Sequence, residues 1–431
     1  MHFDSLLSEI YQVWRNLFPD LGFGSVDPEH FLEFSLPAIE AKEIRFQLQG
    51  ETCLHLQSIE VFSCVDGQEI RISTEAELNV SSVLAGSEKA LHDKILLVSG
   101  RNGLGIHTQQ EKNPWVKILF QDPVPISKIK VRNREDVWAY RAWSMVIEVS
   151  SESEVWQSVY HYKDRLDLFY STIIGKIQLM GFDPGNLKIA LEIALLVKVI
   201  LLGNFDQART MLKNLKLSAE KEDEIQMAMN KYFINSMKRN WSGHGITNPF
   251  KFWGIEQKKR YLGKALELYN DLTQLTGDVS FGFGFVLGFV RHGDFIPHDD
   301  DIDLIVSFDR AEGYSISSSL KKIAEFLEPL GYEVLGQNYS HRWVRKPGEK
   351  SIDVFVGLKE GDLVSFFPSH RKSLNFVDVF PTLNVPLFEM SCPIPAAPFE
   401  YLQKTYGPDW RNPNTHFRHP WNTKEFEDIY S

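Results

Sequence analysis

A chain of 431 residues, 43% hydrophobic and 24% charged, has core material for two or three folded domains. Its net charge of −11 excludes non-specific nucleic-acid binding, which needs a basic footprint, and disfavours an anionic membrane as partner for the whole surface. Three cysteines, Cys53, Cys64 and Cys392, make neither a disulfide framework nor a CxxC metal site, so a reducing, cytoplasmic setting is the simplest expectation.

The opening residues, MHFDSLLSEIYQVWRNLF, carry acids and lack a basic start before an apolar run, which predicts a helical segment over 1–35 and no secretory leader. Over 36–162 the pattern has period two. Ile44, Phe46 and Leu48 alternate with Arg45 and Gln47, Ile129 and Val131 with Lys130 and Arg132, and Met145, Ile147 and Val149 flank Glu148. Turn residues punctuate these runs, and the pattern predicts short strands in an antiparallel β-sandwich. Helical spacing takes over across 163–245, read as a helical connector with one helix-turn-helix hairpin at 201–215. The apolar run 189–202 is too short to span a bilayer and contains Glu192 and Lys198, which predicts a buried helix. Residues 241–253 read as a boundary loop. The remainder, 246–431, alternates helices (257–276, 317–330) with strands (279–283, 303–308, 332–336, 341–345, 352–358) as a mixed α/β domain, with 366–431 irregular.

The chemistry concentrates in residues 284–308, GFVLGFVRHGDFIPHDDDIDLIVSF. Asp299, Asp300, Asp301 and Asp303 repel one another beside an apolar run, and a cation offsets that cost. If the strand reaches back to 299, alternation places Asp299, Asp301 and Asp303 on one face as a hard-cation site and leaves Asp300 a bystander. An EF-hand loop is excluded, because Leu304 replaces its glycine and Arg310 its closing glutamate. Asp353, inside the apolar strand 351–356 (SIDVFV), is the candidate fourth carboxylate, with Asp378 a weaker competitor. Gly284 and Gly288 permit close backbone approach at a helix start that favours phosphate, and Arg291 supplies a bidentate phosphate donor. The glycine spacing is neither a Walker loop nor a dinucleotide fingerprint.

These residues resemble the signature of the LicD/fukutin family of nucleotidyltransferase-fold proteins. The shared pattern is Gly284, Gly288, Arg291, His292 and Gly293, then Ile296 and Pro297, then Asp299, Asp301 and Asp303. A second block, 398–410 (PFEYLQKTYGPDW), is similar to that family's closing Tyr-Leu and Tyr-Gly-x-x-Trp segment. His298 stands where the family usually has an aromatic, and Phe285 where threonine is common. The stretches 113–120, 126–134 and 143–156 resemble a discoidin-type, galactose-binding-like domain, with Trp138, Tyr140 and Arg141 as candidate sugar-loop residues.

The first resemblance implies a metal-dependent phosphotransferase that moves phosphocholine or an alditol phosphate from a CDP-activated donor to a hydroxyl of a cell-surface glycan, as in capsule, teichoic acid or lipopolysaccharide biosynthesis. It implies Mg²⁺ or Mn²⁺ on Asp301, Asp303 and Asp353, with Asp299 holding a second metal or serving as general base, and Gly284, Gly288 and Arg291 on the donor. The alternatives are transfer of NMP to an acceptor, or an inactive glycan-binding scaffold. Expected partners are the CDP-linked donor and a polysaccharide acceptor. No nucleic acid and no transmembrane segment are expected, and peripheral contact with the inner membrane stays open.

Overall fold

The computed structural model describes residues 2–24, 31–97, 105–135, 138–152, 155–242, 245–337, 340–413, 419, 422–426 and 429. Part of the expected boundary loop (243–244) and of the C-terminal remainder (414–418, 420–421, 427–428, 430–431) lies outside them. The chain divides into two compact units, Met1–Asn248 and Pro249–Ser431.

The first unit is built on one eight-stranded antiparallel sheet. Short strands were expected, but Leu32–Leu48 and Trp115–Asn133 run for 17 and 19 residues. Register shifts between Ser35 and Ile39 and between Ala41 and Glu43 bend this long pair, so that it serves two groups of neighbours. At one end it pairs with Met145–Ser150 and Glu77–Val80, and at the other with His55–Val65. Alternation holds as read: Ile44, Phe46, Val116, Ile118, Ile129 and Ile147 are buried, while Arg45 on the opposite face pairs with Glu148 at 2.6 Å.

The helices Phe3–Leu17, Tyr162–Leu179, Pro184–Leu201, Phe205–Asn214 and Ala219–Met229 share a continuous core with that sheet. Pro184–Leu201 contains the apolar run. Asp183 caps its start by accepting from the amides of Gly185 and Asn186, and Ala190, Ile193, Val197 and Ile200 are buried. Among the described residues no helix is long and apolar enough to cross a membrane. The expected boundary region instead forms a short hairpin, Asn240–Ser242 with Gly245–Thr247.

The second unit has its own core. Its central strands, Asp303–Asp309 and Ile352–Glu360, are parallel, largely apolar and buried along most of their length, as strands covered on both faces are. Val279–Phe281 flanks the first, antiparallel to it, and His341–Arg345 followed by Glu333–Leu335 flanks the second. The helix Ile316–Leu327 lies on the crossover between the parallel strands, its start fixed by a capping box of Ser315 and Ser318. The segment expected to be irregular is more ordered than its Pro and aromatic content indicates. It supplies the short strand Leu374–Asn375, the hairpin Leu383–Leu387 with Met390–Ile394, and the helix Pro398–Tyr406.

Candidate active site

Asp303 and Asp353 are direct register partners on the two parallel strands, so their side chains leave the same face of the sheet. Both are nearly withdrawn from solvent, at 8% and 9% exposure. The strand does not extend back to Asp299, however. It begins at Asp303, and Asp299, Asp300 and Asp301 occupy the loop before it. Strand alternation therefore does not apply to them, and Asp300 is no bystander. Carboxylate oxygens of Asp299, Asp300 and Asp301 lie within 4.8 Å of one another, with Asp300 also paired to Lys350 at 3.2 Å.

The loop is held by its main chain. Phe250 donates its amide to the Asp299 carbonyl at 2.7 Å, Asp353 donates to the Ile302 carbonyl at 3.0 Å, and Asp300 donates to the Asp299 carboxylate at 3.0 Å. Although Asp299 as a residue is partly exposed, its carboxylate turns inward against Gly284, where a Cβ would sit 2.3 Å from Oδ2.

The helix Phe283–His292 begins at this cluster. Its first amides are already engaged: Phe283 donates to the Tyr401 hydroxyl at 2.9 Å, and the Gly284 amide donates to the Asp303 carboxylate. The positive helix terminus thus supports an aspartate of the protein, where the sequence reading expected it to cradle a phosphate. Phe283 sits at φ +39°, a conformation rare for an aromatic residue and characteristic of constrained functional turns. Gly288 has a different task. A Cβ there would meet backbone atoms of Asp294 and Ile296 at 2.7 Å, so glycine lets the helix pack on the following loop. Arg291 also departs from expectation, since its guanidinium donates to the carbonyls of Trp410 and Asn412, at 3.0 Å for the latter. It ties the signature helix to the closing segment.

The electrostatics follow from crowding and burial. Burial, then the neighbouring Asp301 charge, lifts the carboxyls of Asp299 and Asp303 well above the ordinary carboxylate range. Burial and Asp301 push Asp353 up to about 8, against the opposing pull of Lys350 and a hydrogen bond from Trp343. A divalent cation fits this donor set, because hard oxygen ligands that resist ionisation together are relieved by positive charge among them. Asp378 lies on the short helix Phe376–Val379 and accepts from Asn375 at 2.8 Å, outside the cluster.

Sequence reasoning missed the neighbours of Asp353. Trp343 is its register partner on the next strand and 43% exposed, and His341 lies two residues along on the same face with Nε2 3.5 Å from Asp353 Oδ2. Burial holds the His341 imidazole down to about 4. The strand 341–345 was legible, but its register against 352–358 was not.

Residues 281–397 match the family model described as LicD/FKTN/FKRP, nucleotidyltransferase domain. The second unit is similar to the LicD family. The match covers the first sequence block and ends just before the second, 398–410. Residues 97–173 match a second model, NedA-like, galactose-binding domain. The LicD match points to a phosphotransferase-type enzyme of glycan modification, and the NedA-like match to carbohydrate binding. No curated protein matches the chain. Among solved structures, ANT(2")-Ia in complex with adenylyl-2"-tobramycin aligns over 38% of this chain and 84% of its own, at 13% identity and a TM-score of 0.25.

The candidate sugar loop of the first unit is only partly open. Tyr140 is half-buried against the core, packing on Trp143 and Phe205 with ring centroids 5.6 and 5.8 Å apart. Trp138 is 41% exposed and carries the Arg141 guanidinium 4.3 Å from its ring centre.

Proposed function

We propose that the second unit, with a nucleotidyltransferase-like fold, is a metal-dependent transferase. It would move a phosphoryl-linked small group, phosphocholine or an alditol phosphate, from a CDP-activated donor to a hydroxyl of a cell-surface glycan. The observation that carries this reading is the register pairing of Asp303 with Asp353 beneath the Asp299–Asp301 loop. That pairing sets two carboxylates beside the three of the loop, and three of the five have raised proton affinity.

Asp301, Asp303 and Asp353 would hold Mg²⁺ or Mn²⁺, with Asp299 and Asp300 at the rim. The bound cation supplies neutralisation of the diphosphate and Lewis-acid activation at phosphorus. The acceptor hydroxyl oxygen forms a bond to the phosphorus of the transferred group, the bond from that phosphorus to the CMP oxygen breaks, and the hydroxyl proton passes to Asp299. Burial raises the proton affinity of the Asp299 carboxylate, which makes it a better proton acceptor for that last role. The strained start of the signature helix places Asp303, and Arg291 holds the closing segment against the same helix. The first unit would contribute the acceptor, its exposed Trp138 offering an apolar face to a sugar ring.

Mass spectrometry of products from a panel of CDP donors incubated with Mn²⁺ and a polysaccharide tests the reading. Acceptor mass should rise by the phosphoryl-linked group with release of CMP, and Asp303→Asn should abolish it. Addition of a whole nucleotide to the acceptor would favour NMP transfer, and absence of any transfer across the panel would reject the donor class.

A further inference from the structure

We infer that His341 is a positioning residue for Asp353, fixing which oxygen of that carboxylate faces the cation. The inference rests on the metal reading of the carboxylate cluster. Cross-strand register places His341 opposite Phe355, and strand alternation puts Phe355, Asp353, His341 and Trp343 on one face. The imidazole is 7% exposed and lies against the Phe355 ring at a centroid distance of 4.6 Å. Its Nε2 is 3.5 Å from Oδ2 of Asp353, and its Nδ1 is 2.9 Å from the Ser340 hydroxyl oxygen.

In the tautomer whose Nδ1 accepts from the Ser340 hydroxyl, the proton sits on Nε2 and faces Oδ2. That contact restrains rotation of the carboxylate about its last torsion. Trp343 also donates to Asp353, so the carboxylate is held by two residues of one strand. Outer-shell partners of this kind orient ligands, and their loss costs roughly 10–100-fold in metal affinity or activity.

The test uses the full chain and Mn²⁺ itself, with free Mn²⁺ followed by electron paramagnetic resonance and binding confirmed by calorimetry. His341→Phe keeps an aromatic ring against Phe355 but removes the donor, and Mn²⁺ affinity should fall roughly 10–100-fold. His341→Gln, whose amide nitrogen reaches the Nε2 position, should restore most of that loss, which a purely structural role would not produce. Ser340→Ala should weaken Mn²⁺ binding by a smaller factor, and it carries the test alone if His341→Phe does not fold. Equal Mn²⁺ affinity in wild type, His341→Phe and Ser340→Ala would overturn the positioning role while leaving the metal site standing. Failure of the wild-type protein to bind Mn²⁺ would overturn the metal reading and the positioning role with it.

Discussion

A carboxyl pushed up to about 8, as in Asp353, keeps its proton in the folded state long after an unfolded aspartate, near ~4, has lost it. Below about pH 4 both states are protonated and the group is neutral in its effect. As pH rises from about 4 toward 8 the unfolded state releases the proton first, so stability declines across that window. The ceiling is about 1.4 kcal/mol per pH unit for one carboxyl, and each kcal/mol moves a melting temperature by about 2–4 °C at this unit's size. Asp353→Asn keeps the shape and an acceptor for Trp343 but not the charge. The metal-free variant should therefore melt several degrees above wild type at pH 8 and close to it at pH 4, while losing Mn²⁺ binding. Scanning calorimetry over pH reads this directly, and a wild-type-to-variant difference that does not grow with pH would contradict the placement of Asp353 in a dry cluster. Saturating Mg²⁺ should flatten the wild-type profile, because a cation among the carboxylates replaces the proton.

The signature helix Phe283–His292 carries two glycines with unlike consequences. At Gly288 an added methyl meets backbone of Asp294 and Ile296, which cannot swing aside. Gly288→Ala should cost about 1–3 kcal/mol, as overpacking does, and appear as a lower denaturant midpoint. At Gly284 the methyl collides with the Asp299 carboxylate, a flexible group that can turn away, and makes ordinary van der Waals contact with Asp303 Oδ2 at 3.8 Å. Gly284→Ala should leave the midpoint nearly unchanged but displace Asp299 and weaken Mn²⁺ binding. Reversal of the two effects would show that the helix is not seated as described. One motif that reads in sequence as a single glycine-rich phosphate cradle thus divides into a packing glycine and a carboxylate-seating glycine.

The two units have separate hydrophobic cores, with the division between Asn248 and Pro249. Each buries enough apolar surface to fold alone. The fragment 249–431 should give a cooperative thermal transition and retain Mn²⁺-dependent binding of CDP, while losing affinity for polymeric acceptor relative to the full chain. Calorimetry and acceptor pull-down check both statements. An unfolded fragment would contradict the independence of the cores, and undiminished acceptor binding would reject the role given to the first unit. In that unit, the helices 162–229 read in sequence as a connector, yet they pack into the sheet's core. Their amphipathic spacing announces helices without saying what they cover.

Local chemistry was legible without coordinates. Period-two and helical spacing reported the β-rich and helical regions and the buried helix, because burial imposes its period directly on side-chain choice. The acidic run, the glycines and the Tyr-Gly-x-x-Trp block carried the resemblance to the LicD family for the same reason: each is a local composition that few environments tolerate. Tertiary structure alone decided that Asp303 and Asp353 are register partners, that Asp300 joins the cluster from a loop, and that Arg291 binds carbonyls of the closing segment. It also brought His341 and Trp343 to Asp353. Pairing register and loop path depend on contacts between residues distant in the chain, and a pattern of period two is unchanged when a strand slides by two residues.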